Sequence, residues 1–132
     1  MAEDDEDDRF LLEKAANELQ FPIEVSFTKD GDQLLDYLSY IEEDTSPSPT
    51  PRPDLILLDI NLPGKNGLEA LESIKTNESL RSIPVAIWST SNQKHHILKA
   101  SELGAVDYVI KPDTFEGLIE ALKRVISNLD NS

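Results

Sequence analysis

The chain has no cysteine, which excludes disulfides and thiolate metal sites and fits a reducing compartment without demanding one. Positive charge is scarce: 12 lysines and arginines stand against 26 aspartates and glutamates, for a formal net charge of −14. Such a balance repels phosphate backbones and anionic bilayers, so nucleic-acid and membrane partners are not expected, while cations and basic protein surfaces remain open. No stretch approaches the roughly 18 apolar residues of a membrane span, and Met1-Ala2-Glu3-Asp4-Asp5 lacks the basic opening and apolar core of a secretory signal. A cytoplasmic location is the default expectation. At 132 residues the chain fits one globular domain over 1–132, without room for a second of ordinary size. There is no internal repeat.

What is present is an alternation of helical and strand-like patterns. Phe10, Leu11, Leu12, Ala15, Ala16 and Leu19 recur at spacings of three and four behind an acidic opening, which predicts an amphipathic helix over 5–19. Residues 22–27 alternate apolar and polar after a proline and read as a short strand. Leu34, Leu35, Tyr37, Leu38 and Ile41 mark a second helix, and the prolines at 47, 49, 51 and 53 predict an extended loop after it. The continuous run Leu55-Ile56-Leu57-Leu58 suits a strand buried on both faces, with Pro63, Gly64 and Gly67 in the turn beyond. Leu68, Leu71 and Ile74 give a third helix and residues 84–88 a third strand. A fourth helix over 96–103 ends at Gly104, a strand covers 106–110, and a last helix spans 115–129. Strands alternating with helices predict an α/β fold, an open parallel sheet with helices on both faces.

In such sheets function gathers beyond the carboxyl ends of the strands. The first polar residues there are Asp59, Ser89 and Lys111. A carboxylate at a strand end serves as metal ligand, nucleophile or helix cap, and Ser89 with Thr90 offers either a hydroxyl for a phosphoryl oxygen or a cap for the next helix. Lys111 before Pro112 suits pairing with carboxylate or phosphate, although a lysine alone at such a place is more often solvated. Glu3, Asp4 and Asp5 would bring further carboxylates to the same rim, where their repulsion calls for a cation; an acidic run is otherwise a solvated terminus. His95 and His96, with no partnering cluster near them in sequence, read as solvated surface residues rather than metal ligands, and Trp88 reads as core.

The order of an acidic cluster, an apolar strand ending in Asp59, a strand ending in Ser89 and then Lys111-Pro112 resembles the receiver domain of two-component response regulators, across essentially the whole chain. The resemblance implies a flavodoxin-like sheet of order 2-1-3-4-5 and a stand-alone signalling switch. It makes Asp59 the phosphoacceptor, with Mg²⁺ held by Glu3, Asp4, Asp59 and the backbone carbonyl of Asn61. Ser89 becomes the switch hydroxyl, Tyr108 the aromatic that follows it, Lys111 the lysine that pairs with the phosphoryl group, and Pro112 the residue after a cis peptide bond. Implied partners are a histidine kinase or phosphotransfer protein and a downstream protein target, and a homodimer is compatible. The only reactions implied are the domain's own phosphorylation and dephosphorylation, so it is not an enzyme acting on a separate substrate. The proline-rich segment after the second helix, residues 63–67 and Phe115 resemble the receivers that partner phytochrome-type and hybrid histidine kinases.

In one respect the pattern departs from the family. Receivers open with an apolar strand before the acidic pair, whereas only Met1 and Ala2 precede Glu3. The expectation is a first, central strand that is missing or truncated, with about five or six apolar residues absent upstream, through truncation or a misassigned start codon. That keeps a second function in view, a pseudo-receiver that docks proteins without being phosphorylated. A phosphatase using Asp59 as transient nucleophile is disfavoured, because Asn61 supplies no second carboxylate as general acid and no cap domain fits.

Overall fold

Alternate residues of the strands feed two cores on opposite sides of one parallel sheet. The computed structural model describes residues 1–19, 23–43, 52–62 and 66–130. Its elements are α1 (Glu6–Asn17), α2 (Gly31–Glu43), β1 (Ile56–Leu58), α3 (Gly67–Lys75), β2 (Val85–Ser89), α4 (Lys94–Glu102), β3 (Asp107–Ile110) and α5 (Phe115–Asp130). β1 pairs with β2 and β2 with β3, both in parallel, with Leu58 opposite Ile87 and Ser89 opposite Ile110. Ile56, Leu58, Val85 and Ile87 face α2, α3 and α4, where they meet Leu34, Leu38, Leu71, Ile74 and Ala100. Leu57, Ala86, Trp88 and Val109 face α1 and α5, against Leu12, Ala15, Leu122 and Val125. The period of two explains why β1 and β2 read as unbroken apolar runs: both of their faces are covered.

The first, central strand is represented by its last residues. Ala2 bridges in parallel to Thr28 on one side and Leu58 on the other. Ala2 N–H donates to the Leu57 carbonyl at 2.9 Å, Glu3 N–H to the Thr28 carbonyl at 2.9 Å, and Thr28 N–H to the Met1 carbonyl at 2.9 Å. Residues 1–3 therefore occupy the slot between the segment at 28 and β1, so that of the two expectations, a missing or a truncated first strand, the structure shows the truncated one, paired through a single bridge residue.

A second expectation is corrected. No strand forms over 23–27, and only Thr28 bridges to a neighbour, Ala2; a strand needs its ladder completed along its length. Ile23, Val25 and Phe27 still pack on the core beneath α1 and α5. Pro22, residues 46–51 of the proline-rich loop, and Pro63, Gly64 and Lys65 of the turn lie outside the described residues.

Candidate functional site

Three strand ends and one helix start converge at the carboxyl edge of the sheet. Asp59 follows β1 directly, Ser89 closes β2, and Lys111 follows β3 with its N–H on the Ser89 carbonyl at 2.9 Å. Asp5 caps α1 by accepting from the N–H groups of Asp7 and Asp8, the usual role of aspartate at a helix start. The bridge at Ala2 delivers Glu3 to the same edge, where it is 1% exposed. Asp59 is 5% exposed and Ser89 fully buried.

Lys111 is the hub. Its Nζ donates to Glu3 Oε1 at 2.5 Å, to Asp8 Oδ2 at 2.9 Å and to Asp59 Oδ2 at 2.9 Å. The other Asp59 oxygen, Oδ1, accepts from Asn61 N–H at 3.0 Å. Burial opposes the charge of Lys111, but its hydrogen bonds to Glu3, Asp59 and Asp8 outweigh that and hold its pKa above the ordinary lysine value. Burial raises Glu3 to about 7, with the Lys111 contact opposing the shift and the Asp59 charge adding to it. One ammonium does not balance the buried carboxylates around it.

A second group extends from Ser89. Its Oγ accepts from Ser91 N–H at 3.2 Å, while Ser91 Oγ lies 2.6 Å from His96 Nδ1 and the Ser91 carbonyl accepts from Tyr108 Oη at 2.8 Å. Burial raises the Tyr108 pKa, with the hydrogen bond to Ser91 opposing it. The capping alternative for Ser89 is overturned: the N-cap of α4 is Gln93, without a side-chain cap. His95 is exposed as expected, whereas His96 is half-buried and tied to Ser91. Trp88 is core, as read.

The sequence-derived residues thus divide. Glu3, Asp59 and Lys111 meet directly, and Ser89 and Tyr108 are joined through Ser91. Asp4 and Asn61 are exposed, and among the described residues no three His, Cys, Asp or Glu side chains form a group ready to hold a metal. The cis expectation at Pro112 is corrected, since no described peptide bond is cis; trans remains the lower-energy form before proline by about 0.5–1 kcal/mol. Asp8, Ser91 and His96 escaped the sequence reading. Asp8 looked like one more member of an acidic helix start, and nothing local signals a partner 103 positions away.

Chemically, the edge presents a carboxylate at a strand end, a cation against one of its oxygens and a buried hydroxyl on the next strand, a set suited to receiving an anionic electrophile. The family model described as response regulator receiver domain matches residues 1–123. The response regulator Rcp1 of Synechocystis is 30% identical over 127 residues, covering 96% of this chain and 84% of that protein. Its Mn²⁺-bound crystal structure superposes with a TM-score of 0.77, covering 96% of this chain and 88% of that one. The phosphorylated cyanobacterial phytochrome response regulator RcpA is 33% identical with a TM-score of 0.78 over 94% of this chain and 86% of that one. RPA3017, from red-light signalling in R. palustris, is 28% identical with a TM-score of 0.82 over 94% of this chain and 87% of that one.

Proposed function

This chain belongs to the response regulator receiver family, the phosphoacceptor switches of two-component signalling, and on that premise we propose that Asp59 is its phosphoacceptor. The observation that carries the assignment is the buried Asp59 carboxylate at a strand end with Lys111 Nζ 2.9 Å from one oxygen. A carboxylate oxygen attacks the phosphorus of a phosphohistidine on a histidine kinase or phosphotransfer protein. The O–P bond forms as the P–N bond breaks, and the released imidazole takes up a proton. Lys111 stabilises charge on the transferred group, and Ser89 supplies a hydroxyl to one of its oxygens. Tyr108, linked to Ser89 through Ser91, carries the change to the surface formed by α4 and β3, where a downstream protein target reads it. The domain catalyses only its own phosphorylation and dephosphorylation.

The chemistry of the donor set suits a hard divalent cation, since all candidate ligands are oxygens. Glu3, Asp4, Asp59 and the Asn61 carbonyl would hold Mg²⁺; Rcp1 is known in a Mn²⁺-bound form. When bound, the metal neutralises charge on the equatorial phosphoryl oxygens. We read residues 1–132 as one receiver domain working in the cytoplasm, with a phytochrome-type or hybrid kinase as donor and a homodimer compatible with the fold. No observation favours constitutive docking without phosphorylation.

Incubation with acetyl phosphate and Mg²⁺, followed by intact-mass measurement, tests the assignment. The expected result is a single phosphoryl adduct, absent with EDTA and absent from Asp59→Asn. An adduct that persists in Asp59→Asn would move the acceptor elsewhere.

A further inference from the structure

A lysine ammonium has three N–H bonds, and at Lys111 each has a different carboxylate: Glu3, Asp8 and Asp59. Glu3 and Asp59 belong to the site already described. Asp8 shares the lysine but has no part in the transfer proposed above, yet its Oδ2 is as close to Nζ as that of Asp59, at 2.9 Å. We propose that Asp8 is a positioning residue for phosphoryl transfer, which together with Glu3 fixes the rotation of the Lys111 ammonium so that its third N–H points at Asp59.

The proposal rests on the reading of Asp59 as acceptor. The Lys111 side chain is 12% exposed and that of Asp8 38%, so the ammonium end of the pair is shielded from water although the carboxylate end is partly open. Asp8 is anchored in the first turn of α1, where its own N–H is held by the Asp5 side chain at 3.2 Å. Asp8 and Lys111 both line a groove with Trp88, Pro112 and Phe115. With two N–H bonds anchored, the third needs only to tilt from the carboxylate to an arriving phosphoryl oxygen. Without Asp8 the ammonium can turn, and some of its orientations leave the phosphoryl oxygen without a donor. Preorganisation of this kind acts on the chemical step rather than on donor binding.

Phosphorylation by acetyl phosphate at saturating Mg²⁺ is therefore expected to fall about tenfold in Asp8→Ala, in the maximal rate rather than in the concentration for half-maximal rate. Asp8→Asn keeps an acceptor oxygen and is expected to recover most of the loss. In a Lys111→Ala background, Asp8→Ala should have no further effect, since the residue acts through the lysine. In parallel, the ¹⁵N-detected ammonium signal of Lys111, recorded without phosphodonor, should be visible in the parent protein and in Asp8→Asn and broadened by exchange in Asp8→Ala. A parental rate in Asp8→Ala, or an equal loss in the Lys111→Ala background, overturns the proposal while leaving Asp59 as acceptor. A parent protein that takes no phosphoryl group overturns the acceptor reading and this role with it, whatever the ammonium signal shows.

Discussion

Folding carries Glu3 from water to 1% exposure, and burial raises its pKa from 4.5 to about 7 despite the Lys111 contact. An acid with the higher pKa in the folded state binds protons preferentially there. Its stabilising effect is therefore complete below about pH 4.5 and lost as the pH rises to about 7. The Met1 amine acts in the opposite sense. Burial, and then Arg9, lowers it from 8.0 to about 6, so the unfolded chain holds the extra proton and stability returns between those values. In urea titrations the unfolding free energy should fall by up to about 3 kcal/mol on the acid side, change little where the two windows overlap, and recover toward pH 8.0. Glu3→Gln should abolish the fall and leave the recovery; a fall that survives the substitution would put its source elsewhere. Mg²⁺ should lessen the fall, since it binds the ionised carboxylate alone. Asp59, Ser89 and Lys111 were legible in the sequence because each is the first polar residue after an apolar strand. Asp8 and His96 were not, because their roles come from partners that only the fold supplies.

At the scale of elements, the loop after Asp59 and the start of α3 are nearly in contact. A Cβ on Gly67 would lie 2.1 Å from the Asp59 carbonyl oxygen and 2.9 Å from the Ile60 Cα, and both obstacles are backbone. Gly67→Ala must therefore push α3 away from the segment that carries the proposed acceptor. It is expected to cost about 1–3 kcal/mol in denaturant titrations and to slow phosphorylation as well. Asn66 is the neighbouring control. Its side chain accepts from Glu69 N–H, and the Glu69 carboxylate accepts from Asn66 N–H, so Asn66→Ala should cost about 1 kcal/mol with phosphorylation unchanged. Equal losses of phosphorylation in both variants would show that general loosening of α3, not the contact at Gly67, governs the rate. The helices and the two buried strands followed from periodicity, and Gly104 with φ of 98° ends α4 as read. The segment 23–27 did not, because alternation shows which residues would suit a strand and says nothing of whether a neighbour is there to pair with it.

At the scale of the whole molecule, residues 1–3 fill one slot of the sheet through a single bridge residue. Ala2 pairs on both sides, but going back along the chain the next donor is the terminal ammonium of Met1, which reaches the Ser26 carbonyl at 2.7 Å. An ammonium there does the work of a strand N–H while burial penalises its charge, which is why its pKa falls to about 6. Residues 23–27 lead up to Thr28 on one side of the slot and Leu55 leads into β1 on the other, all parallel to the bridge. An extension ahead of Met1 would therefore run between them. About five apolar, β-branched residues fused there should pair with both neighbours. Each buried side chain is worth about 1.5–3 kcal/mol, against about 1–2 kcal/mol for ordering its backbone, so a net gain of a few kcal/mol is expected. The denaturant slope should also increase as more surface becomes buried, and the recovery of stability toward pH 8.0 should vanish, because the amine has become an amide. A glycine–serine extension of equal length would remove the amine without filling the slot, and so should abolish the recovery toward pH 8.0 while leaving the fall due to Glu3, with little gain in midpoint. If the two extensions shift the midpoint equally, relief of the buried ammonium accounts for the effect and the slot does not accept a strand.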